Sequence, residues 1–245
     1  QRLDGLPLAI ELAAAWCRVL TPTEILDRLE PALPLLRSHV RDASPRQRTM
    51  EATLDWSYQL LEPADQLLFE QLSVFAGGFD FDAAQALVPG EDVLDGLASL
   101  VDSSLVLADP ASERMRYRLL EPVRQYAEAR LVARGLRDAT QRRHAEHYLR
   151  VAHRSEAKLR SSDAGTVLAQ LEEDEDNFRV ALGWARERSD DLGLRLCTAL
   201  APSWAIRGRV NEGRAWLDEM LRRRAETEDL GLRASGLARA SRLAW

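Results

Sequence analysis

The stretch LVLADPASERMRYRLLEPVRQYA, residues 105–127, is where the hydrophobic pattern of this chain changes. On both sides of it, apolar residues recur at the helical period of about 3.6 residues. Within it, Leu105–Asp109 and Met115–Leu119 predict two strands, and the turn residues Asp109–Ser112 predict a hairpin between them. Several helices followed by one hairpin are the layout of a winged helix. After Pro122 the pattern becomes helical again.

The helices before the hairpin are marked by regular spacing and clear stop signals. Apolar residues predict one helix from Met50 to Leu61 and another from Leu67 to Phe75, which Gly77-Gly78 ends. A short helix follows from Phe81 to Val88. The next, from Glu91 to Ser103, holds the position of a recognition helix.

The first 44 residues predict short helices separated by breaks. Pro7 lies just inside the first helix, where the missing N–H of proline costs nothing. Thr23 is expected to cap a second helix that ends near Glu30. Ser38–Pro45 is typical of a linker.

The tail of the chain shows weak internal similarity. Three pairs of like residues are 34 positions apart: Asn177 and Asn211, Ala181 and Ala215, and Leu196 and Leu230. This spacing matches the tetratricopeptide period of about 34 residues. A plain helical bundle is the alternative, because short Ala- and Leu-rich helices match each other by chance.

Composition excludes several classes of protein. The formal net charge of −6 argues against wholesale nucleic-acid binding, and no apolar run reaches the roughly 20 residues of a membrane span. Cys17 and Cys197 have no C-x-x-C pattern or nearby histidine at metal spacing, so a reducing cytoplasm is the expected location. The chain opens on Gln1 without Met and closes on Trp245 without a helix stop signal, so we expect it to be part of a longer protein.

No enzymatic motif is found. A P-loop needs a lysine that reaches the β- and γ-phosphates, and the single lysine, Lys158, lacks the glycines of that motif. The chain is therefore not expected to hydrolyse ATP by itself. His144 and His147 have a spacing that can bind metal, but with no third ligand they are interpreted as solvated residues. The acidic run Glu172–Asp176 is interpreted as a solvated helix start.

The predicted recognition helix has the wrong charge for reading DNA. It carries Glu91, Asp92, Asp95 and Asp102 and no lysine or arginine. Such a face repels phosphate, whereas binding in the major groove needs positive charge. This domain is therefore not expected to bind DNA.

Three stretches, taken in order, resemble one family. They are LDGLPLAIELA (3–13), then RQRT (46–49) with DWSY (55–58) and LSVFAGGF (72–79), and finally YRLLEPVRQYA (117–127). They resemble STAND-class regulators with an NB-ARC-like nucleotide module, of the LuxR and AfsR/SARP types of bacterial transcriptional regulator. EGRAWL (212–217) is similar to the tetratricopeptide-like region of that family.

The resemblance implies a mainly α fold with three parts. Residues 1–44 would be the C-terminal helical lid of the nucleotide-binding module. Residues 45–135 would be a winged-helix regulatory domain with one β-hairpin. Residues 136–245 would be an incomplete region of antiparallel, tetratricopeptide-like helical repeats.

The resemblance also implies two nucleotide-binding segments. Gly5, Leu6 and Pro7 match the Gly-x-Pro that lies near the adenine, although the same residues also suit a plain helix start. Leu119, Leu120 and Glu121 match the Met-His-Asp motif, whose histidine meets the β-phosphate of ADP.

Only the acid of the Met-His-Asp motif is kept, and Leu120 cannot donate a hydrogen bond to phosphate. Either another donor, Arg118 or Arg124, then contacts the phosphate, or the winged helix senses the nucleotide weakly. In the alternative interpretation, Leu119 and Leu120 are core residues and Glu121 caps the next helix.

Tryptophans and arginines of the tail suggest a partner surface. Trp204 and Trp216 fall in successive predicted repeat helices, and Arg207 and Arg209 lie between them. Trp with Arg is a common pairing in binding hot spots. The alternative is that each tryptophan fills the core between helices.

The expected function is that of a regulatory and sensor fragment of a nucleotide-dependent bacterial transcriptional regulator. ATP or ADP would be the cofactor of the full-length protein, with none expected for this chain alone. The winged helix would gate the switch, and the repeats would bind a small-molecule inducer or a protein. No membrane partner is expected. A tetratricopeptide-like interaction scaffold without nucleotide control is the rival hypothesis.

Overall fold

A computed structural model describes residues 3–4, 7–29, 36, 50–90, 92–110, 114–188, 191–223 and 229–244. The chain divides into two compact units. The first contains residues 1–74 and 79–137, and the second contains residues 75–78 and 138–245. The predicted parts 1–44 and 45–135 thus fall in the same unit, apart from residues 75–78.

The described residues are mainly helical with a small three-stranded sheet, as predicted. Up to residue 133 the elements are α1 (Pro7–Ala14), a 3-10 turn (Ala15–Arg18), α2 (Pro22–Asp27), α3 (Met50–Gln59), α4 (Pro63–Leu72), β1 (Gly78–Phe79), α5 (Phe81–Leu87), α6 (Leu94–Asp102), β2 (Leu107–Asp109), β3 (Arg116–Arg118) and α7 (Glu121–Ala133). The later elements are α8 (Arg137–Lys158), α9 (Ala164–Glu173), α10 (Glu175–Arg188), α11 (Asp191–Ile206), α12 (Val210–Arg223) and α13 (Leu230–Arg242).

The predicted hairpin is confirmed, and it belongs to a winged helix. Strands β2 and β3 pair antiparallel, with Leu107 opposite Arg118 and Asp109 opposite Arg116. The sheet order is β1-β3-β2. Strand β1 was not predicted, because two residues are too short to show a period and its Gly78 was interpreted only as a helix stop.

The cap of the second helix differs from the prediction. Helix α2 begins at Pro22, and Thr21 caps it by accepting a hydrogen bond from the backbone N–H of Glu24 at 3.3 Å. The Glu24 carboxylate accepts the backbone N–H of Thr21 at 2.8 Å, which completes a capping box. Thr23 therefore lies inside the helix, because Pro22 sets the first helical position.

The core of the first unit joins the DWSY stretch to α7. Tyr58 packs edge-on against Tyr126, with ring centroids 5.9 Å apart. The carboxylate of Asp55 accepts hydrogen bonds from Tyr126 and Arg130. The carboxylate of Glu70, on α4, is buried beneath this cluster. Two of the stretches that carry the resemblance are thus packed against each other.

The helices of the second unit pack mainly on near neighbours along the chain. Helix α10 contacts α9, α11 and α12, and α11 contacts α12 and α13. Gly213 allows α12 to approach α11 closely, since an added Cβ would lie 2.5 Å from Cε3 of Trp204. This arrangement is typical of helical repeats.

The interpretation of His144 and His147 as solvated residues is wrong. They are 1% and 6% exposed; the ring of His144 packs against Phe75 and Tyr148, and the ring of His147 packs edge-on against Tyr148. The sequence of α8 alone could not show this, because Phe75 comes from a distant part of the chain. Among the described residues no three potential ligands are placed to hold a metal ion.

A single amide side chain organises the segment Phe75–Gly78 in this unit. Oδ1 of Asn177 accepts a hydrogen bond from the backbone N–H of Ala76 at 2.9 Å. Its Nδ2 donates to the carbonyl of Gly78 at 2.7 Å. Nε2 of His144 lies 3.4 Å from the same Oδ1.

In the described part of the chain, no helix is both long and apolar enough to cross a bilayer.

Candidate functional site

The start of α7 is capped by a residue from the beginning of the chain. Leu120 precedes the helix in extended conformation, and its apolar side chain makes no capping hydrogen bond. Instead, the backbone N–H of Glu121 donates to Oδ2 of Asp4 at 2.7 Å. Asp4 has a φ of 47°, in the left-handed region that few non-glycine residues adopt. The flank of the Gly-x-Pro segment therefore contacts the segment that matches the Met-His-Asp motif.

The adenine-side residues are only partly covered by the structure. Gly5 and Leu6 lie outside the described residues. Pro7 is the first residue of α1, as predicted from its position in the sequence. Their nucleotide role stays a prediction.

Glu121 is held within its own helix. Its carboxylate accepts hydrogen bonds from Nε and Nη2 of Arg124 at 2.8 and 2.9 Å, and from Gln125 at 2.8 Å. Burial acts to raise the pKa of Glu121, but the hydrogen bonds from Arg124 and Gln125 outweigh it, so the pKa lies below its ordinary value. Glu121 is therefore a carboxylate at neutral pH.

The two arginines near the Met-His-Asp position have different surroundings. Arg124 also pairs with Glu128 at 3.0 Å and donates to the carbonyl of Ser73 at 3.2 Å, so its guanidinium is already engaged. Arg118 is exposed on β3, and within the described ranges it has no ion-pair or side-chain hydrogen-bond partner. Leu119 is buried and Leu120 is half-buried. Of the two, Arg118 is the one available to a phosphate.

The exposed side of α6 is acidic. Asp92, Asp95 and Asp102 are exposed, and residues 92–102 contain no lysine or arginine; Glu91 lies outside the described residues. The positive charges of the wing are partly compensated, since Arg114 lies 3.4 Å from Asp80. This surface would repel a DNA backbone at the helix that a winged helix normally inserts into the groove.

The predicted partner residues do not form one surface. Trp204, Arg207 and Arg209 line a shallow cleft, and Trp216 is not part of it. Trp204 is 8% exposed, because its ring packs over Gly213. Trp216 is half-buried, with the guanidinium of Arg186 5.8 Å from the ring centroid.

The arginines of the cleft are neutralised by glutamates that the sequence reasoning did not connect to them. Arg207 lies 2.7 Å from Glu172 and 3.7 Å from Glu175. Arg209 also pairs with Glu175, and it lies 3.8 Å from Glu212. These ion pairs link α9, α10 and α12 to the end of α11. Only the acidic run Glu172–Asp176 hinted at them in the sequence.

Comparison with known families agrees with the fold. Residues 61–148 match a family model described as a winged helix-turn-helix domain. The chain is 42% identical, over 230 residues, to proteins of Mycobacterium tuberculosis (strain H37Rv) and Mycobacterium bovis that are provisionally named HTH-type transcriptional regulators. The match covers 90% of this chain and 26% of those proteins, so the chain spans about a quarter of their length.

Two further similarities were found. An uncharacterized protein of Mycobacterium tuberculosis (strain H37Rv) is 41% identical over 153 residues, which are 60% of this chain and 39% of that protein. A solved structure of a Signal Transduction ATPase with Numerous Domains that has a tetratricopeptide repeat sensor, from Pyrococcus horikoshii, aligns with 98% of this chain and 44% of its own. Its TM-score is 0.36 at 16% identity, which is too low to support an argument.

Proposed function

We propose that this chain is the regulatory and sensor part of a nucleotide-controlled bacterial transcriptional regulator. The hydrogen bond from Glu121 to Asp4 carries the proposal, because it ties the flank of the Gly-x-Pro segment to the segment that matches the Met-His-Asp motif. The similarity to proteins named as transcriptional regulators supports the same role.

In this proposal Arg118 replaces the missing histidine. Leu120 has no donor, and Arg124 is engaged by Glu121, Glu128 and Ser73. Arg118 is exposed, and a guanidinium matches phosphate geometry. ADP or ATP would be bound mainly by a P-loop module outside this chain, and Arg118 would report which nucleotide is present.

The winged helix acts as a gate rather than as a DNA reader. The acidic face of α6 disfavours phosphate, so DNA would be bound by a module outside this chain. The helices after residue 136 would bind the inducer or protein partner that shifts the gate between two states.

Calorimetric titration of ADP and ATP tests the nucleotide role. It compares this chain with a longer protein in which the proposed P-loop module precedes it. We expect binding only by the longer protein, with Arg118→Gln and Pro7→Ala each weakening ADP affinity, Arg118→Gln by about tenfold. Arg114→Gln is the matched control, since Arg114 lies on the same hairpin but pairs with Asp80.

Three outcomes contradict the proposal. If the longer protein binds neither nucleotide, the interaction-scaffold hypothesis replaces the switch. If Arg118→Gln and Arg114→Gln behave alike, Arg118 is not the phosphate sensor. Retention of duplex DNA by this chain at low salt would contradict the proposal that DNA is bound only by a module outside it.

A further inference from the structure

An open groove of about 300 Å³ lies in the second unit, at the C-terminal ends of α8, α11 and α13. This volume is at the lower limit of small-molecule pockets, which is about 300 Å³. Most of its lining is apolar, from Leu159, Ala201, Pro202, Ala205, Ile206 and Leu243. Ile206 is 55% exposed, so an apolar ligand would remove it from water.

The polar part of the lining is positively charged. Arg160, Arg239, Arg242 and Glu156 line the groove, three arginines and one glutamate, which leaves a local charge of +2. The whole chain, by contrast, has a formal net charge of −6. Positive charge is thus concentrated at this groove against the balance of the chain.

The arginines differ in their partners. Arg239 pairs with Glu156, and the two side chains are 22% and 25% exposed. Arg160 and Arg242 are exposed, and neither has an ion-pair partner in the ranges that the structure describes. Their guanidinium groups can therefore bind an anion without breaking an existing salt bridge.

The groove lies at helix C-termini, where positive side chains have two effects. Helix C-termini carry partial negative charge and by themselves favour a cation. The arginines compensate that dipole, and they also present donors beside an apolar lining. A cationic or a purely apolar ligand would leave both arginines unpaired.

We propose that this groove binds a small amphipathic anion, a carboxylate with an aliphatic tail. The tail would cover Pro202 and Ile206, and the carboxylate would bind Arg160 and Arg242. In naming this ligand class as the inducer, the inference rests on the proposed sensor role. Binding itself requires no nucleotide, so the two can fail separately.

Calorimetric titration of this chain with decanoate, below its micellar concentration, tests the site. We expect saturable one-to-one binding, weaker binding of decanol, and none of decyltrimethylammonium. Arg160→Gln and Arg242→Gln should each lower decanoate affinity about fivefold to tenfold. Arg154→Gln is the matched control, because Arg154 is exposed on the same helix as Glu156 but does not line the groove.

A second variant tests the apolar part. Ala205→Phe would place a ring in the groove and should abolish binding, while the circular dichroism spectrum stays that of the parent chain. The proposal is overturned if decanoate does not saturate, if decyltrimethylammonium binds equally well, or if Arg154→Gln weakens binding as much as Arg160→Gln. Saturable binding together with absent nucleotide control would keep the site and remove the switch.

Discussion

The hydroxyl of Tyr58 donates a hydrogen bond to the buried carboxylate of Glu70, with 2.5 Å between the two oxygens. Nε of Arg134 lies 2.5 Å from the other carboxylate oxygen, and the side chain of Glu70 is 1% exposed. Burial and the bond to Glu70 raise the pKa of Tyr58, so the phenol stays protonated. The three residues come from α3, α4 and the C-terminal end of α7, and they hold these helices together.

Removal of the Glu70 carboxylate should destabilise the first unit. Glu70→Leu leaves the hydroxyl of Tyr58 and the guanidinium of Arg134 without their acceptor, and we expect a loss of about 3 kcal/mol in the free energy of unfolding. Glu70→Gln keeps an acceptor and should cost about 1 kcal/mol, because Arg134 is 44% exposed and water screens its charge. Urea unfolding measures both. Equal losses for the two variants would contradict this account.

The cap of α7 predicts a second effect. Asp4→Ala removes the acceptor for the backbone N–H of Glu121 and should lower the free energy of unfolding by about 1 kcal/mol. Asp27→Ala is the control, since Asp27 is an exposed acid of the same unit at the end of α2. Thermal unfolding of both variants decides the matter, and identical melting temperatures would show that Asp4 does not cap the helix.

The buried His144 predicts a dependence of stability on pH. Burial lowers its pKa from 6.5 to about 3, against the opposing effect of its contact with Asn177. Below pH 6.5 the unfolded chain therefore binds a proton that the folded chain does not bind until pH is near 3. The contribution of the neutral, buried His144 to the free energy of unfolding is complete above pH 6.5. It is lost as the pH falls below 6.5, by up to about 1.4 kcal/mol per pH unit.

Comparison with a variant isolates this contribution. Between pH 6.5 and pH 5 the parent chain should lose about 2 kcal/mol more than His144→Gln, measured by urea unfolding at each pH. The difference between the two proteins cancels the titration of other groups. Parallel curves would show that His144 is accessible to protons in the folded state.

Substitution by alanine should have opposite effects on stability at two glycines of the second unit. Gly213→Ala places a Cβ 2.5 Å from Cε3 of Trp204 and should destabilise the unit by about 1–3 kcal/mol. An added Cβ at Gly183, inside α10, meets nothing within 4 Å. Gly183→Ala should therefore stabilise by about 0.5–1 kcal/mol through helix propensity. A neutral Gly213→Ala would mean that Trp204 can move away from α12.

The sequence predicted the parts of the fold that depend on local patterns. The helices before the hairpin, the hairpin itself and the absence of positive charge on α6 follow from spacing and residue type. The burial of His144 depends on Phe75 and Asn177, and the capping of α7 depends on Asp4. These contacts join residues far apart in the chain, so no local period could reveal them.

In the candidate site, too, some features follow from the local sequence and others depend on contacts between distant residues. Sequence reasoning identified the segments around Pro7 and Glu121, but it could not choose between Arg118 and Arg124. The structure distinguishes them, because Glu121 and Glu128 pair with Arg124 and neither pairs with Arg118 in the described part of the chain. At the tail, Trp204 was a candidate from residue type alone, whereas its packing over Gly213 is a property of two helices in contact.

The packing of α10 to α13 on near neighbours has a mechanical consequence. In such an array the small rotation at each interface adds to the next, so we expect a change at one interface to change the curvature of the stack. The groove lies at one end of α8, α11 and α13, so a change in curvature would change the width of the groove. A molecule bound in the groove would fix its width, and part of the binding free energy would then change the curvature of the stack.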